Sequence, residues 1–295
     1  MTVRMTHENP PAVTVRRPRP EDHAALARVC FDAFGGINRK HGFPPEIPVI
    51  DVAEFLMGYV MNHPLCWGVV AEQDGRPVGS AFVQVQHGIG GVGPVTVDPA
   101  AQSKAVGRAL MDAILDHCRE HRVAGVRLLQ AGFNMASMSL YTKVGFAIRE
   151  PLALVNGTPL GRATDGFPVR PATQDDLPAC DALCASIHGH PRGPELREAV
   201  EHGTARVVER HGRVTAYATD IGFMSHAVAE TNDELCALIA SASAYTGPGF
   251  ILPLRNTPAL NWCLANGLRL VSPLNLMTTG LYTEPRGAWL PSILY

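Results

Sequence analysis

Short alternating runs and longer stretches of helical spacing succeed one another along the chain. Val13–Val15 alternates and then meets Arg16–Arg17–Pro18, which predicts a short first strand. Pro20, Glu21 and Asp22 lead into apolar residues at Leu26, Val29, Cys30 and Phe34, the spacing of a helix with acids in its first turn. Gly35–Gly36 is expected to stop that helix, with a Pro-rich loop from Ile37 to Ile50 and a second helix capped by Asp51. Three strands follow: Trp67 to Glu72, Pro77 to Gln86 after a hairpin turn at Asp74–Gly75, and Val92 to Val97. A long helix carries Val106, Leu110, Ile114 and Leu115, Val126 to Leu129 reads as a central strand, and Asn134 opens a helix ending at Gly145. Phe146 to Val155 supplies the last strands. The order is strand, two helices, three strands, helix, strand, helix, strand.

Asn156 to Pro168 is rich in Gly, Thr and Pro and reads as a connector. The second half then repeats the first. Arg170–Pro171 followed by Asp175 echoes Arg17–Pro18 followed by Asp22. Arg206 to Thr219, turning at His211–Gly212, is another hairpin pattern. Ala227 to Ala229, Asp233 to Ala242 and Phe250 to Leu254 read as strand, helix and strand. Cys263 and Gly267 follow Asn256 at the same intervals as Tyr141 and Gly145 follow Asn134, and an apolar residue comes after each glycine. Repetition of a whole domain is the natural reading. The expected division is 1–155, a connector at 156–168, and 169–295.

Hydrophobic residues at 46% allow a sizeable core for a chain of 295 residues. Lys plus Arg is 25 against 27 for Asp plus Glu, with no long basic stripe, which argues against nucleic acid as a partner. The seven cysteines are widely spaced, so a disulfide framework is not expected; Cys180 and Cys184, one helical turn apart, lack the second pair that a metal site needs. Met1 to Pro11 is polar, unlike a signal peptide, and no apolar run is long enough to span a membrane, so the expected location is the cytoplasm.

Two segments carry candidate chemistry. In V-D-P-A-A-Q-S-K-A-V-G-R-A-L a strand ends at Val97 and small residues, Ala105, Gly107 and Ala109, open a helix. Free amides at such a start can face an anion, with Gln102, Lys104 and Arg108 adding donors; the alternative is a helix start packed closely on a strand. In N-M-A-S-M-S-L-Y-T-K-V-G-F, Asn134 can cap the helix or bond a ligand amide, and Ser137 is small enough for close approach. Tyr141 shares a face with Asn134 and can be either a proton donor or a half-buried aromatic.

Together these segments resemble the GNAT superfamily of acyl-CoA N-acetyltransferases. The family's pyrophosphate signature Q/R-x-x-G-x-G/A finds Gln102, Ala105 and Gly107, with alanine where glycine is usual. The resemblance covers Val13 to about Val155. It implies an α/β fold of two GNAT-like domains, each with a mixed, mostly antiparallel central sheet flanked by helices, the second domain degenerate. It implies acetyl-CoA as cofactor and no metal. Pantetheine would pair with Val95, Thr96 and Val97, and the diphosphate would rest on amides across Ser103, Lys104, Ala105, Val106, Gly107, Arg108 and Ala109. Asn134 and Ser137 would complete the cofactor site, and Tyr141 would protonate the departing thiolate. An amide near Val95 would meet the oxyanion. The expected reaction is direct attack by a primary amine of a small molecule, with a non-catalytic coenzyme A sensor as the alternative and a homodimer left open.

The base is less defined. His87 is the first candidate, with His41, Asp51 and Glu54 behind it and a water chain as a further option. Glu46, Asp51 and Glu54 could meet a cationic amine. The second half lacks the phosphate signature, Asp233 and Glu234 would repel a diphosphate, and Cys263 replaces the tyrosine. Cys263 is read as a buried thiol rather than a nucleophile. The apolar segment Trp289 to Tyr295 is expected to pack on a domain, lining the first domain's substrate opening.

Overall fold

The computed structural model describes residues 13–102 and 104–294, at Lys104 the backbone alone. The first half contains β1 (Thr14–Arg16), α1 (His23–His41), α2 (Ile50–Asn62), β2 (Cys66–Gln73), β3 (Arg76–Gln86), β4 (Ile89–Val97), α3 (Lys104–Glu120), β5 (Gly125–Ala131), α4 (Met135–Lys143) and β6 (Ala147–Asn156). The second contains β7 (Val169–Pro171), α5 (Leu177–His188), α6 (Gly193–Glu201), β8 (Arg206–Arg210), β9 (Arg213–Ala218), β10 (Ala227–Ala229), α7 (Asn232–Ser241), β11 (Phe250–Pro253), α8 (Thr257–Ala265), β12 (Arg269–Gly280) and β13 (Ala288–Leu290).

The strands form two sheets, β1-β2-β3-β4-β5-β12-β6-β11 and β13-β10-β9-β8-β7. Every neighbouring pair is antiparallel except β4 with β5. The fold is thus mixed α/β with mostly antiparallel sheets flanked by helices. Strand alternation divides the first half's core. Val69, Ala71, Ala81 and Val83 pack under Val106, Leu110 and Ile114 of α3, whereas Val70 and Phe82 face Leu26, Cys30, Ala53 and Met57 of α1 and α2.

Each half lends its last long strand to the other. β12 pairs with β5 from Leu274↔Ala131 to Gly280↔Gly125, β6 pairs with β11 from Phe250↔Val155 to Pro253↔Leu152, and the two lent strands pair with each other. Phe146 to Val155 therefore yields one strand, β6, and the strand beside β5 comes from more than a hundred residues downstream.

The repeat is geometric as well as sequential. Asn134 and Asn256 accept from the N–H of Ser137 and Ala259, and helices of nine residues follow each, ending before Gly145 and Gly267, both with positive φ. The structure corrects the register of the earlier echo. Arg16 grips Asp22 with two nitrogens, and Arg170 grips Asp176 in the same way; Arg17 and Asp175 are not counterparts in this grip.

Two local expectations also change. α1 runs through Gly35–Gly36 and ends at Gly42, whose φ of 74° is the left-handed stop. Interior glycines cost about 1 kcal/mol each, and the buried stripe Leu26, Ala27 and Cys30 offsets that. The cap position of α2 is held by Val49, so Asp51 sits in the first turn, where its charge still suits the dipole. Among the described residues no helix is long and apolar enough to cross a membrane, and no group of His, Cys, Asp or Glu could hold a metal ion.

Candidate active site

β4 and β5 pair only at Ile89↔Gly125, Gly90↔Val126 and Gly91↔Arg127. Beyond Gly91 the strands part, and a bulge in β4 between Val92 and Val95 sharpens the divergence. Asp98 N–H donates to Val78 O, so alternation turns Val97 and Val95 toward the gap and Thr96 toward β3. Gln102 Nε2 donates to Val97 O at 3.4 Å across that open side, while the Thr96 hydroxyl pairs with Ser80 at 3.2 Å. Val95 and Val97 thus keep backbone groups for a ligand lying strand-like in the gap; those of Thr96 are committed to the sheet.

At the far end of β4, Asp98 caps a short helical turn, Pro99–Ala101, by accepting from Ala100 N–H. α3 then begins with no acid in its first turn. Ala105 is exposed, Val106 is buried, and Gly107 lies so near α4 that a Cβ there would come within 3.1 Å of Leu140. Of the expected diphosphate donors, Ser103 and the Lys104 side chain lie outside the described residues. Arg108 is tied to Asp112 at 2.8 Å on an exposed face, and Ala109 is half-buried.

Tyr141 is buried beside Phe146 and Val106 on the α3 side of the sheet, and burial pushes its phenol up to about 12. Its hydroxyl has no hydrogen-bond partner among the described residues, and it is not one of the sealed unpartnered polar atoms. Asn134 and Ser137 are taken up locally: Asn134 Oδ1 accepts from Ser137 N–H at 3.2 Å, and Gln130 Nε2 donates to Ser137 Oγ at 3.1 Å.

The base candidates separate. His87 sits exposed at the tip of the β3–β4 hairpin, with φ of 47°, before the paired end of β4 and eight positions from Val95. At about 3.3 Å per strand residue that is roughly 25 Å of strand, so the structure does not bring His87 to the gap. Asp51 and Glu54 are exposed on α2. His41 packs against Phe133, and Phe43 stacks on the same ring at 4.3 Å, so the loop after α1 reaches the loop after β5. Sequence reasoning missed this bridge, because neither ring lies in a periodic run. In that loop Glu46 is half-buried, and burial pushes its carboxyl up to about 7.

The matching position in the second half is closed. β13 pairs with β10 along the edge that β4 leaves open, with register Ala227↔Leu290 to Ala229↔Ala288. The start of α7 is taken by its own acid: Glu234, 1% exposed, accepts from Thr231 N–H and its hydroxyl and pairs with Arg210 at 3.2 Å. Cys263 is sealed in the core, its thiol pushed up to about 12 by burial. Past β13 the chain is held by its own half, where Arg192 donates to Ser292 and Ile293 N–H donates to Phe223 O, and then reaches the first half, where Leu294 lies against Gly93 in the β4 bulge.

Residues 39–146 match the Acetyltransferase (GNAT) family. A mycothiol acetyltransferase of Propionibacterium freudenreichii subsp. shermanii is 32% identical over 133 residues, which are 45% of this chain and 32% of that protein. The chain thus spans about a third of that relative's length. Along nearly the whole chain the fold is similar to a Pyrococcus horikoshii protein assigned as an acetyltransferase, with TM-score 0.71 at 16% identity, covering 97% of this chain and 95% of that one. It is also similar to a GCN5-related N-acetyltransferase of Sphaerobacter thermophilus, with TM-score 0.61 at 13% identity, covering 93% and 97%. At these identities the two structures speak for the fold alone.

Proposed function

We propose that the first half of the chain, where residues 39–146 match the GNAT acetyltransferase family, transfers an acetyl or short acyl group from acyl-CoA to the primary amine of a small molecule. The observation that carries this reading is the open edge of β4 beyond Gly91, running to a helix start free of acids. The residues fit such a ligand: backbone groups of Val95 and Val97 face the gap, and Gly107 keeps α3 close to α4. Bound there, acyl-CoA would supply an activated thioester carbonyl.

The chain's own groups supply the rest. Val95 N–H is available to a carbonyl oxygen that gains negative charge. Tyr141, protonated throughout the neutral range, donates a proton to the leaving sulfur. Glu46 has the titration range of a base at neutral pH and takes the amine proton, directly or through water. It replaces His87 in this role. Division of labour follows the sequence division: residues 1–155 do the chemistry, 156–168 connect, and 169–295 give support. The setting proposed is the cytoplasm.

Calorimetric titration with acetyl-CoA, joined to thiol release over a panel of amines, tests the reading. Heat of binding with amine-dependent thiol release supports it. Binding without release would favour a coenzyme A sensor, and absence of both would remove the acyl-CoA reading altogether.

A further inference from the structure

Beside Gly91, the last closed rung of β4 and β5, a polar niche lies where the two halves meet. Gln84, Gln86 and Gly91 come from the first half, and His190, Arg192 and Glu195 from the second. Gln84 and Gln86 share the β3 face that looks toward α1 and α2, the face opposite α3. Gln84 is 6% exposed, and its Nε2, near the Tyr59 hydroxyl, completes no hydrogen bond among the described residues. Gln86 Nε2 donates to Glu195 Oε1 at 2.8 Å, which leaves its own buried Oε1 without a partner. A free donor and a free acceptor therefore border one small space.

An unmet buried polar atom loses its bonds to water without replacement, so such a pair asks for an occupant. The two charged side chains that line it, Arg192 and Glu195, form a pair. Glu195 is held by Arg192 at 2.7 Å and by His226 Nδ1 at 3.0 Å, and Tyr217 hydroxyl meets His226 Nε2 at 2.9 Å. Burial would raise the Glu195 carboxyl, but the Arg192 charge and the bonds from His226 and Gln86 bring it to about 2; burial drives His226 and His190 down to about 4. At neutral pH the lining side chains offer one cation and one anion, Arg127 adds a second cation near His190, and both imidazoles are neutral. The cavity is about 20 Å³, room for one water-sized group and not for a ring.

We propose that this niche anchors a hydroxyl or amide group of the acceptor, so that the preferred substrate is an amine with an uncharged hydrogen-bonding group some 10 Å from the reacting nitrogen. A hydroxyl there accepts from Gln84 Nε2 and donates to Gln86 Oε1. Gly91 and Val95 are four residues apart, at most about 13 Å along a strand, which sets the spacing. The second half holds Gln86 through Glu195 and so sets specificity without touching the acyl group. This inference rests on the acyl-transfer reading above.

Its test uses amines matched in chain length. Acetyl-CoA-dependent thiol release is measured with 8-amino-1-octanol against octylamine, and with 3-amino-1-propanol against propylamine as the short pair. The wild-type protein is expected to favour aminooctanol about tenfold in kcat/KM, and to show no such preference in the short pair. Gln84→Met removes a donor without losing bulk; it should abolish the preference through KM for the amine, with KM for acetyl-CoA unchanged and Tm equal or higher. Gln84→Leu serves if the methionine variant does not fold. Thiol release without the long-pair preference, or a preference that survives both variants, overturns the niche and leaves acyl transfer standing. No binding of acetyl-CoA overturns both.

Discussion

The two halves share one plan and treat its working gap in opposite ways. In the first, β4 and β5 part after Gly91, and the edge of β4 stays free. In the second, β13 lies along the corresponding edge of β10 and buries Trp289. The first half's helix start carries no acid; the second's is satisfied by Glu234 from its own first turn. The difference lies in the sheet edge and the helix start: the first half leaves backbone groups of β4 unpaired beside a helix whose first turn holds no acid, and the second half closes both places with its own residues. The second half pairs the matching edge with its own β13 and still exchanges a long strand with the first.

The strand exchange gives the largest expected effect. Residues 1–168 expressed alone should fail to fold, because β5 loses β12 and β6 loses both neighbours. Circular dichroism should show little sheet in either half alone, and native signal should return when the two are mixed. A first half that folds and binds acetyl-CoA unaided would break the comparison at its root. Next in size is the contrast between Tyr141 and Cys263. Tyr141→Phe should lower kcat about a hundredfold, near 2.7 kcal/mol of barrier, with acetyl-CoA affinity kept. Cys263→Ala should leave kcat unchanged and lower only Tm, since that thiol is sealed away from any gap.

Much of this contrast was legible in the sequence, and the reason is locality. The three tight hairpins, Asp74–Gly75, His87–Gly88 and His211–Gly212, all show paired positive φ values that short-range residue choice dictates. The asparagine caps of α4 and α8, the helix start after Val97 and the shielded Cys263 were also written locally. What stayed hidden depends on distant parts of the chain. Nothing near Gly125–Ala131 says that its neighbour is Arg269–Gly280, and nothing near Gln84 and Gln86 points to Glu195. His87 looked near the chemistry only because it is near in sequence; an extended strand carries it away from the gap. Glu46 was noticed for its charge, but burial in a loop is not a sequence property.

Acid sharpens the comparison at the seam between the halves. Burial lowers His188, His190 and His226, and the charge of Arg192 opposes their protonation as well. Glu195, Arg192 and Arg127 are charged groups that face them. The unfolded chain takes up protons near 6.5, and the folded chain does so only near 4 for His190 and His226. Stability contributed by these groups is therefore complete above about pH 6.5 and falls as pH drops toward 4, by about 1.4 kcal/mol per pH unit for each group. Glu195 fails lower still, between its ordinary range and about 2. Thermal melts across this range should show the decline, and His226→Gln should flatten it.

The smallest effect isolates one of the two blocks in the second half. Glu234 closes the start of α7 through Thr231 and takes a buried ion pair from Arg210. Glu234→Gln keeps a hydrogen-bonding oxygen and removes the charge that would repel a diphosphate. It should cost about 1 kcal/mol, as loss of a good cap does. If that charge alone kept acyl-CoA out, the variant would gain a second binding site in calorimetry. The paired edges of β10 and β13 argue otherwise: with Val228 joined to Trp289, no backbone is left to pair with a strand-like ligand. The stoichiometry should therefore stay at one per chain, because the closed sheet edge leaves a strand-like ligand no partner even without the charge.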